Sequence, residues 1–317
     1  MTPLTHADVK AAADRIRGHI RPVTVVAADP GSFGAAEVWL ACEFMQHTGS
    51  FKARGALNFI AAHIDADAMP AAGVVIASGG NAGLACAWAA RRRGVAATVF
   101  VPTTAPAVKV AGLRALGADV RQVGREYAEA LAASRKYAAQ TGALESHAYD
   151  HPLIAAGAGT LLTEICEAVP GLETVVVAAG GGGLFAGFAA AAEQRGVRVV
   201  AVEPEGSRAL NAALEAGEVV DVTVDSVAAD SLGARRASQT ALLLAQRGDV
   251  RSVLVTDEAI VTARRELWDG RRVAVEHAAG AALAALRSGA YVPAPGERAA
   301  VVLCGANTDP SDLVQGP

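Results

Sequence analysis

Apolar positions in this chain fall into two alternating textures. From about residue 73 onward, short β-branched runs are separated by longer, alanine-rich stretches. GVVIAS (73–78) reads as a strand, and the pattern after it predicts a helix over 84–93. TVFVP (98–102) is the next strand, followed by a helix ending in LGAD. DVRQV (119–123) is then a strand and 127–140 a helix. A further round runs through TVVVAA (174–179), a helix over 184–195 and VRVVAVE (197–203), and AAVVLCGAN (299–307) closes the series. Strands that are apolar throughout leave no face for solvent, and their alternation with helices predicts a parallel sheet covered on both sides. Ligands of such sheets sit at the carboxyl ends of the strands. That rule singles out the SGGN turn at Ser78, the glycine run after Ala179, Glu203, and Cys304 with Asn307. At the N-terminus, Thr5 and Asp8 form a capping-box pattern, with Val9, Ala13, Ile16 and Ile20 following at helical spacing. Asp8 at its start and Arg15, Arg17 and Arg21 toward its end suit the helix dipole.

Composition narrows the class. A chain of 317 residues holds one large domain or two modest ones. It is 52% hydrophobic but only 4% aromatic, so alanine and valine fill the core, as close helix-on-strand packing requires. A net charge of -4 with scattered basic residues offers no surface for nucleic acid or anionic membrane. Cys42, Cys86, Cys166 and Cys304 form no CxxC pair, which fits a reducing, cytoplasmic setting. The uncharged stretch 174–192 is long enough to raise the question of a membrane span. Four consecutive glycines in its middle argue for a buried strand, a loop and a core helix instead.

Four short motifs carry chemistry. In TGSFKARG (48–55), Lys52 stands in an uncharged, glycine-flanked turn. It is either an exposed loop lysine or one whose desolvation prepares it to react with an aldehyde. Gly180, Gly181, Gly182 and Gly183, followed by Leu184, lie between a strand and a helix, where bare amides and a helix N-terminus can cradle a phosphate. The same stretch, read as Gly181-x-Gly183-x-x-Ala186 with Glu203 about 20 residues on, also satisfies the dinucleotide fingerprint of an NAD-dependent dehydrogenase. That rival leaves the other motifs unexplained. Ser78, Gly79, Gly80, Asn81 and Ala82 form a second strand-to-helix turn, which could hold a carboxylate or simply be capped by Asn81. Cys304, at the end of the last apolar run, is either a small core residue or a weak hydrogen-bonding group in a site.

TGSFKARGA, SGGNAG, GGGGL, VEP (202–204) and VVLCGAN occur in the order seen in fold-type II pyridoxal-phosphate enzymes, and the chain resembles their serine/threonine dehydratases, with serine racemase a close relative. The resemblance runs over 46–307. It implies an α/β fold of two open domains like tryptophan synthase β, with mostly parallel twisted sheets and pyridoxal 5'-phosphate in the cleft. The large domain would comprise 1–66 and 149–317, and a smaller substrate-side domain would span 67–148. Lys52 would carry the cofactor and Phe51 pack beside its ring. Asn81 would meet the ring oxygen, Gly180 to Gly183 and Leu184 the phosphate, and Cys304 the pyridine nitrogen. Ser78 and the amides of Gly79, Gly80, Asn81 and Ala82 would bind the substrate carboxylate. Glu203 resembles the family's cation-site carboxylate. Ala209 stands where divalent-binding relatives place an aspartate, so a monovalent cation is expected. His277 replaces a usual proline in VEHAAG, either as a pocket residue or as a tolerated turn substitution.

The implied reaction is conversion of L-serine, L-threonine or a related 3-hydroxy amino acid to a 2-oxo acid and ammonia, with Lys52 as general base. A thiol at Cys304 is a weak partner for the pyridine nitrogen and favours prompt elimination over transamination. Racemisation or β-replacement on the same fold stays open. So does the dehydrogenase reading. The racemases resembled here carry Ser-Ser-Gly-Asn-His where this chain has Ser78-Gly79-Gly80-Asn81-Ala82, so the second proton donor is missing. The expected partners are an amino-acid substrate and a second copy of the chain in a homodimer. Only ten residues follow Asn307, so no isoleucine-sensitive effector domain is expected.

Overall fold

The computed structural model describes residues 4–314. Ten strands form two sheets. The larger has the order β1 (Val25–Ala27), β2 (Glu37–Ala41), β10 (Arg298–Val302), β7 (Thr174–Ala178), β8 (Arg198–Pro204), β9 (Val250–Val255). Only β1 runs antiparallel to its neighbour. The smaller sheet is wholly parallel, in the order β5 (Asp119–Gln122), β4 (Ala97–Val101), β3 (Val74–Ala77), β6 (Leu144–Glu145). The central strands β3, β4 and β7 are buried at every residue, as uniform valine-rich runs require.

The larger core gathers Val175, Val176 and Val177 of β7, Val199 and Val200 of β8 and Ala299 to Val302 of β10 against the helices Pro152–Ala168, Gly183–Ala192 and His277–Arg287. Alanine and glycine let these helices approach closely. A Cβ on Gly187 would fall 2.1 Å from the Ala155 carbonyl oxygen. The smaller core joins Val74, Ile76 and Val99 to Leu57, Phe59 and Ile60 of the helix Lys52–Asp65. That helix lies outside 67–148, yet it packs into the smaller core, where its Gly55 meets Ile154.

The helix Lys52–Asp65 is also tied down by charge. Arg54 is fully buried and donates to Glu43 at 2.7 and 3.1 Å, to Glu164 at 2.6 and 2.9 Å, and to the Thr160 hydroxyl at 3.2 Å. Burial of so large a charge is tolerable only because each N–H finds an oxygen.

The N-terminal capping box forms as its spacing predicts. The helix stops at Ile16 rather than continuing to Ile20, because Gly18 turns the chain with φ 74. Among the described residues, no helix is long and apolar enough to cross a membrane. The uncharged stretch 174–192 is β7, the glycine turn and a buried helix.

Candidate active site

The carboxyl ends of β3, β7 and β10 converge on a cleft of about 680 Å³. Phe51, Lys52, Ser78 to Ala82, Gly180 to Leu184 and Cys304 all line it. Residues remote in sequence meet here because β10 ends beside the turn that precedes Lys52. Phe51 donates its N–H to the Cys304 carbonyl at 3.0 Å, and Ser50 pairs with Gly305 in an isolated bridge.

Lys52 opens its helix, and its Nζ donates to the Ala148 carbonyl at 3.2 Å and lies 4.7 Å from the centre of the Phe51 ring. Burial pushes its pKa down, against an opposing pull from Glu276 and Cys304. Lys52 is thus half-buried at a helix start in the cleft lining, not on an exposed loop. A lysine of this kind yields a free amine more readily, which is the reactive form.

In the same cleft, Gly181 to Gly183 are buried, and the amides of Gly180, Gly181 and Gly182 have no protein acceptor among the described residues. Buried amides without partners point to a ligand. The helix Gly183–Ala192 starts at this point and adds its positive end. The glycines are sterically required. Gly182 has φ 93, and a Cβ there would lie 2.4 Å from that of Ala241. A Cβ on Gly181 would strike the Tyr149 ring at 2.4 Å. Tyr149, which donates its hydroxyl proton to the Arg236 carbonyl at 3.2 Å, thus walls the loop.

In the other turn, the Gly80 amide donates to Ser78 Oγ at 3.3 Å, and the helix Asn81–Arg92 begins. Asn81 does more than cap it. Its Nδ2 donates to Glu276 Oε2 at 2.8 Å. Glu276 is buried, lines the cleft, and its Oε1 accepts from Cys304 Sγ at 3.9 Å. Burial raises the pKa of Glu276, and burial with the Glu276 charge drives the Cys304 thiol well above its ordinary range. Cys304 is therefore a neutral thiol.

Two expected residues lie elsewhere. Glu203 is fully buried outside the cleft lining, and its two oxygens accept from the Leu210 and Asn211 amides at 2.8 and 2.7 Å. It caps the helix Ala209–Ala216, and burial raises its pKa to about 8. A carboxylate so engaged does not reach a ribose, so the dinucleotide reading of Gly181-x-Gly183 fails. His277 does not line the cleft either. It meets Arg264 Nη1 at 2.8 Å, and Arg264 is paired with Asp312. The pocket role considered for it is not what the structure shows. The neighbouring residue that does enter the site, Glu276, was not singled out by sequence. Neither was Tyr149.

The site fits a phosphorylated aldehyde cofactor. It brings a lysine amine, unpartnered buried amides and a neutral thiol into one cleft. A family model described as pyridoxal-phosphate dependent enzyme matches residues 16–305. The L-threonine ammonia-lyase of Geobacter sulfurreducens is 33% identical over 96% of this chain and 76% of its own length. A human protein named serine dehydratase-like is 36% identical over 85% of each chain. Among solved structures, maize serine racemase superposes with a TM-score of 0.90 at 28% identity, over 97% of this chain and 94% of that one.

Proposed function

The chain belongs to the family of pyridoxal-phosphate dependent enzymes, and from that premise we propose that it is an ammonia-lyase converting L-serine, L-threonine or a related 3-hydroxy amino acid to a 2-oxo acid and ammonia. One observation carries the reading furthest: a lysine of lowered pKa shares a cleft with buried, unpartnered glycine amides and a neutral thiol. When bound, the cofactor supplies an aldehyde that captures the substrate amine and an electron sink for the Cα carbanion.

The protein does the rest. Lys52 would hold the cofactor and, as the free amine, would take the Cα proton as general base. Phe51 would pack beside the ring and Asn81 would meet its oxygen. Gly180 to Gly183 and Leu184 would offer amides to the phosphate. Ser78 and the turn amides from Gly79 to Ala82 hold the substrate carboxylate at a helix N-terminus. Cys304, kept neutral by burial and by Glu276, would give the pyridine nitrogen a weak partner. A strong acid there would prolong the carbanion and invite transamination.

We assign a monovalent cation to the neighbourhood of Glu203. Among the described residues no group of three or more His, Cys, Asp or Glu gathers to hold a metal, and Mg²⁺ demands a stricter oxygen shell than one amide-bound carboxylate offers. A cytoplasmic location is supported by four free cysteines. A homodimer completes the proposal.

Purified protein incubated with a panel of 3-hydroxy amino acids should release 2-oxo acid and ammonia in equal amounts. Lys52→Ala should abolish both, together with the visible band of the lysine-bound cofactor, while leaving circular dichroism unchanged. Near wild-type ammonia release by that variant would overturn the assignment. The likeness to maize serine racemase keeps racemisation as the second reading, and Gly79 separates the two.

A further inference from the structure

Asn307 ends the last apolar run, and nothing above gives it a task. Its Nδ2 donates to the Thr48 carbonyl at 2.7 Å and to Asn81 Oδ1 at 2.7 Å. Both of its amide hydrogens are therefore directed at oxygens, and turning the amide over would set oxygen against oxygen twice. Only one orientation is favourable. The turn before Lys52 is shaped to receive it. Thr48 adopts φ 62, uncommon for a β-branched residue. Gly49 has φ 71, and a Cβ there would lie 2.9 Å from Asn307 Oδ1.

With Asn307 set, Asn81 is set as well. Its Oδ1 must be the acceptor and its Nδ2 the donor. One Nδ2 hydrogen goes to Glu276. The other has no protein acceptor among the described residues, and Asn81 lines the cleft. Glu276 is held in turn. Its amide donates to the Gly305 carbonyl at 3.0 Å, and a Cβ on Gly305 would fall 2.4 Å from Glu276 Oε1.

We propose that Asn307 and Glu276 are positioning residues that fix the polarity of Asn81, so that it offers an N–H and not a carbonyl to the ring oxygen of the cofactor. The inference rests on the cofactor placement under the proposed function. An N–H facing that oxygen favours its ionised form, whereas a carbonyl would disfavour it. The ionised form of the lysine-bound cofactor absorbs at longer wavelength than the neutral form, so polarity can be read from the spectrum.

Two variants of the full-length holoenzyme separate polarity from bulk. Asn307→Asp is nearly isosteric but replaces donor by acceptor, so Asn81 must turn over to meet it. Asn307→Ala removes more atoms yet leaves Asn81 donating to Glu276. The expected result is a shift from the long- to the short-wavelength band in N307D, with cofactor affinity down about ten- to hundredfold, and a loss under about tenfold with the long-wavelength band kept in N307A. A merely structural role would make the alanine variant the worse of the two. That order, or an unchanged spectrum in N307D, overturns the inference. If thermal melting shows that N307D does not fold, Glu276→Leu added to N307A removes the last partner of Asn81, leaves its amide free to take either orientation, and must raise the share of the short-wavelength band above that in N307A. Its failure to do so overturns the inference equally. A wild type that takes up no cofactor overturns the underlying reading, and this inference with it.

Discussion

Gly79 occupies the position at which the racemases this turn resembles carry a serine hydroxyl. Its backbone is not in the left-handed region, and an added Cβ would meet only Val101 Cγ1 at 3.4 Å. Gly79→Ser should therefore fold with a melting temperature near wild type and raise D-isomer formation from L-serine, which chiral chromatography would detect. If the wild type already accumulates D-serine at a rate comparable to pyruvate, the proton donor lies elsewhere. His277 supports a second prediction. Arg264 always donates, so His277 must accept as the neutral imidazole. Burial, then the Arg264 charge, lowers its pKa in the folded protein. The unfolded chain then binds more protons, so the stability from this contact is present above about pH 6.5 and is lost as pH falls below it. Melting curves of wild type and His277→Gln should converge from pH 8 to pH 5, and parallel curves would contradict this. Lys52 and the glycine run were legible in the sequence because each is a residue type in a setting that ordinary folding does not ask for. Glu276 was not, since a glutamate ahead of an alanine-rich helix reads as a favourable charge at a helix start. Its meaning appears only when Asn81, 195 residues away, is brought against it.

At the level of elements, β3, β4, β7, β8 and β10 could be read directly, because strands buried on both faces are apolar at nearly every position. The strands β1, β2, β9 and the two-residue β6 escaped. β1 is mostly exposed at the sheet edge, β2 mixes exposed and buried positions, and β9 is mostly half-buried at the other edge. Their pairing partners, not their own residues, make them strands. The helix Lys52–Asp65 shows the same limit. Sequence puts Lys52 in a glycine-flanked turn, where the structure has the start of this helix, and it says nothing of Arg54, whose carboxylate partners Glu43 and Glu164 come from other elements. Arg54→Met should destabilise by ~3–5 kcal/mol, because it leaves Glu43 buried and unpaired. Much of that loss should return in the Arg54→Met/Glu43→Met double variant, measured by urea unfolding. Equal losses in both would show that the ion pair is not what holds the helix.

Across the whole molecule, the two sheets contribute opposite walls of one cleft, and among the described residues the one salt bridge joining residues 74–145 to the rest is Lys109–Asp230 at its mouth. The parallel two-sheet architecture was legible from strand–helix alternation, whereas the order of strands was not. That order has a consequence for how the protein is made. Among the described residues β10 is the last strand in chain order, yet it lies inside the larger sheet between β2 and β7. Until it leaves the ribosome, the β1–β2 hairpin has no link to β7–β9, and the turn before Lys52 lacks the Cys304 carbonyl that anchors it. The smaller sheet needs nothing from this late segment, because its four strands are contiguous in the chain. Synthesis should thus produce a protected smaller sheet first, with cofactor capture as the closing event. A chain cut after residue 297 should retain protease protection over 74–145 and take up no cofactor. Capture of the cofactor by such a chain would show that the site is assembled before its final strand arrives.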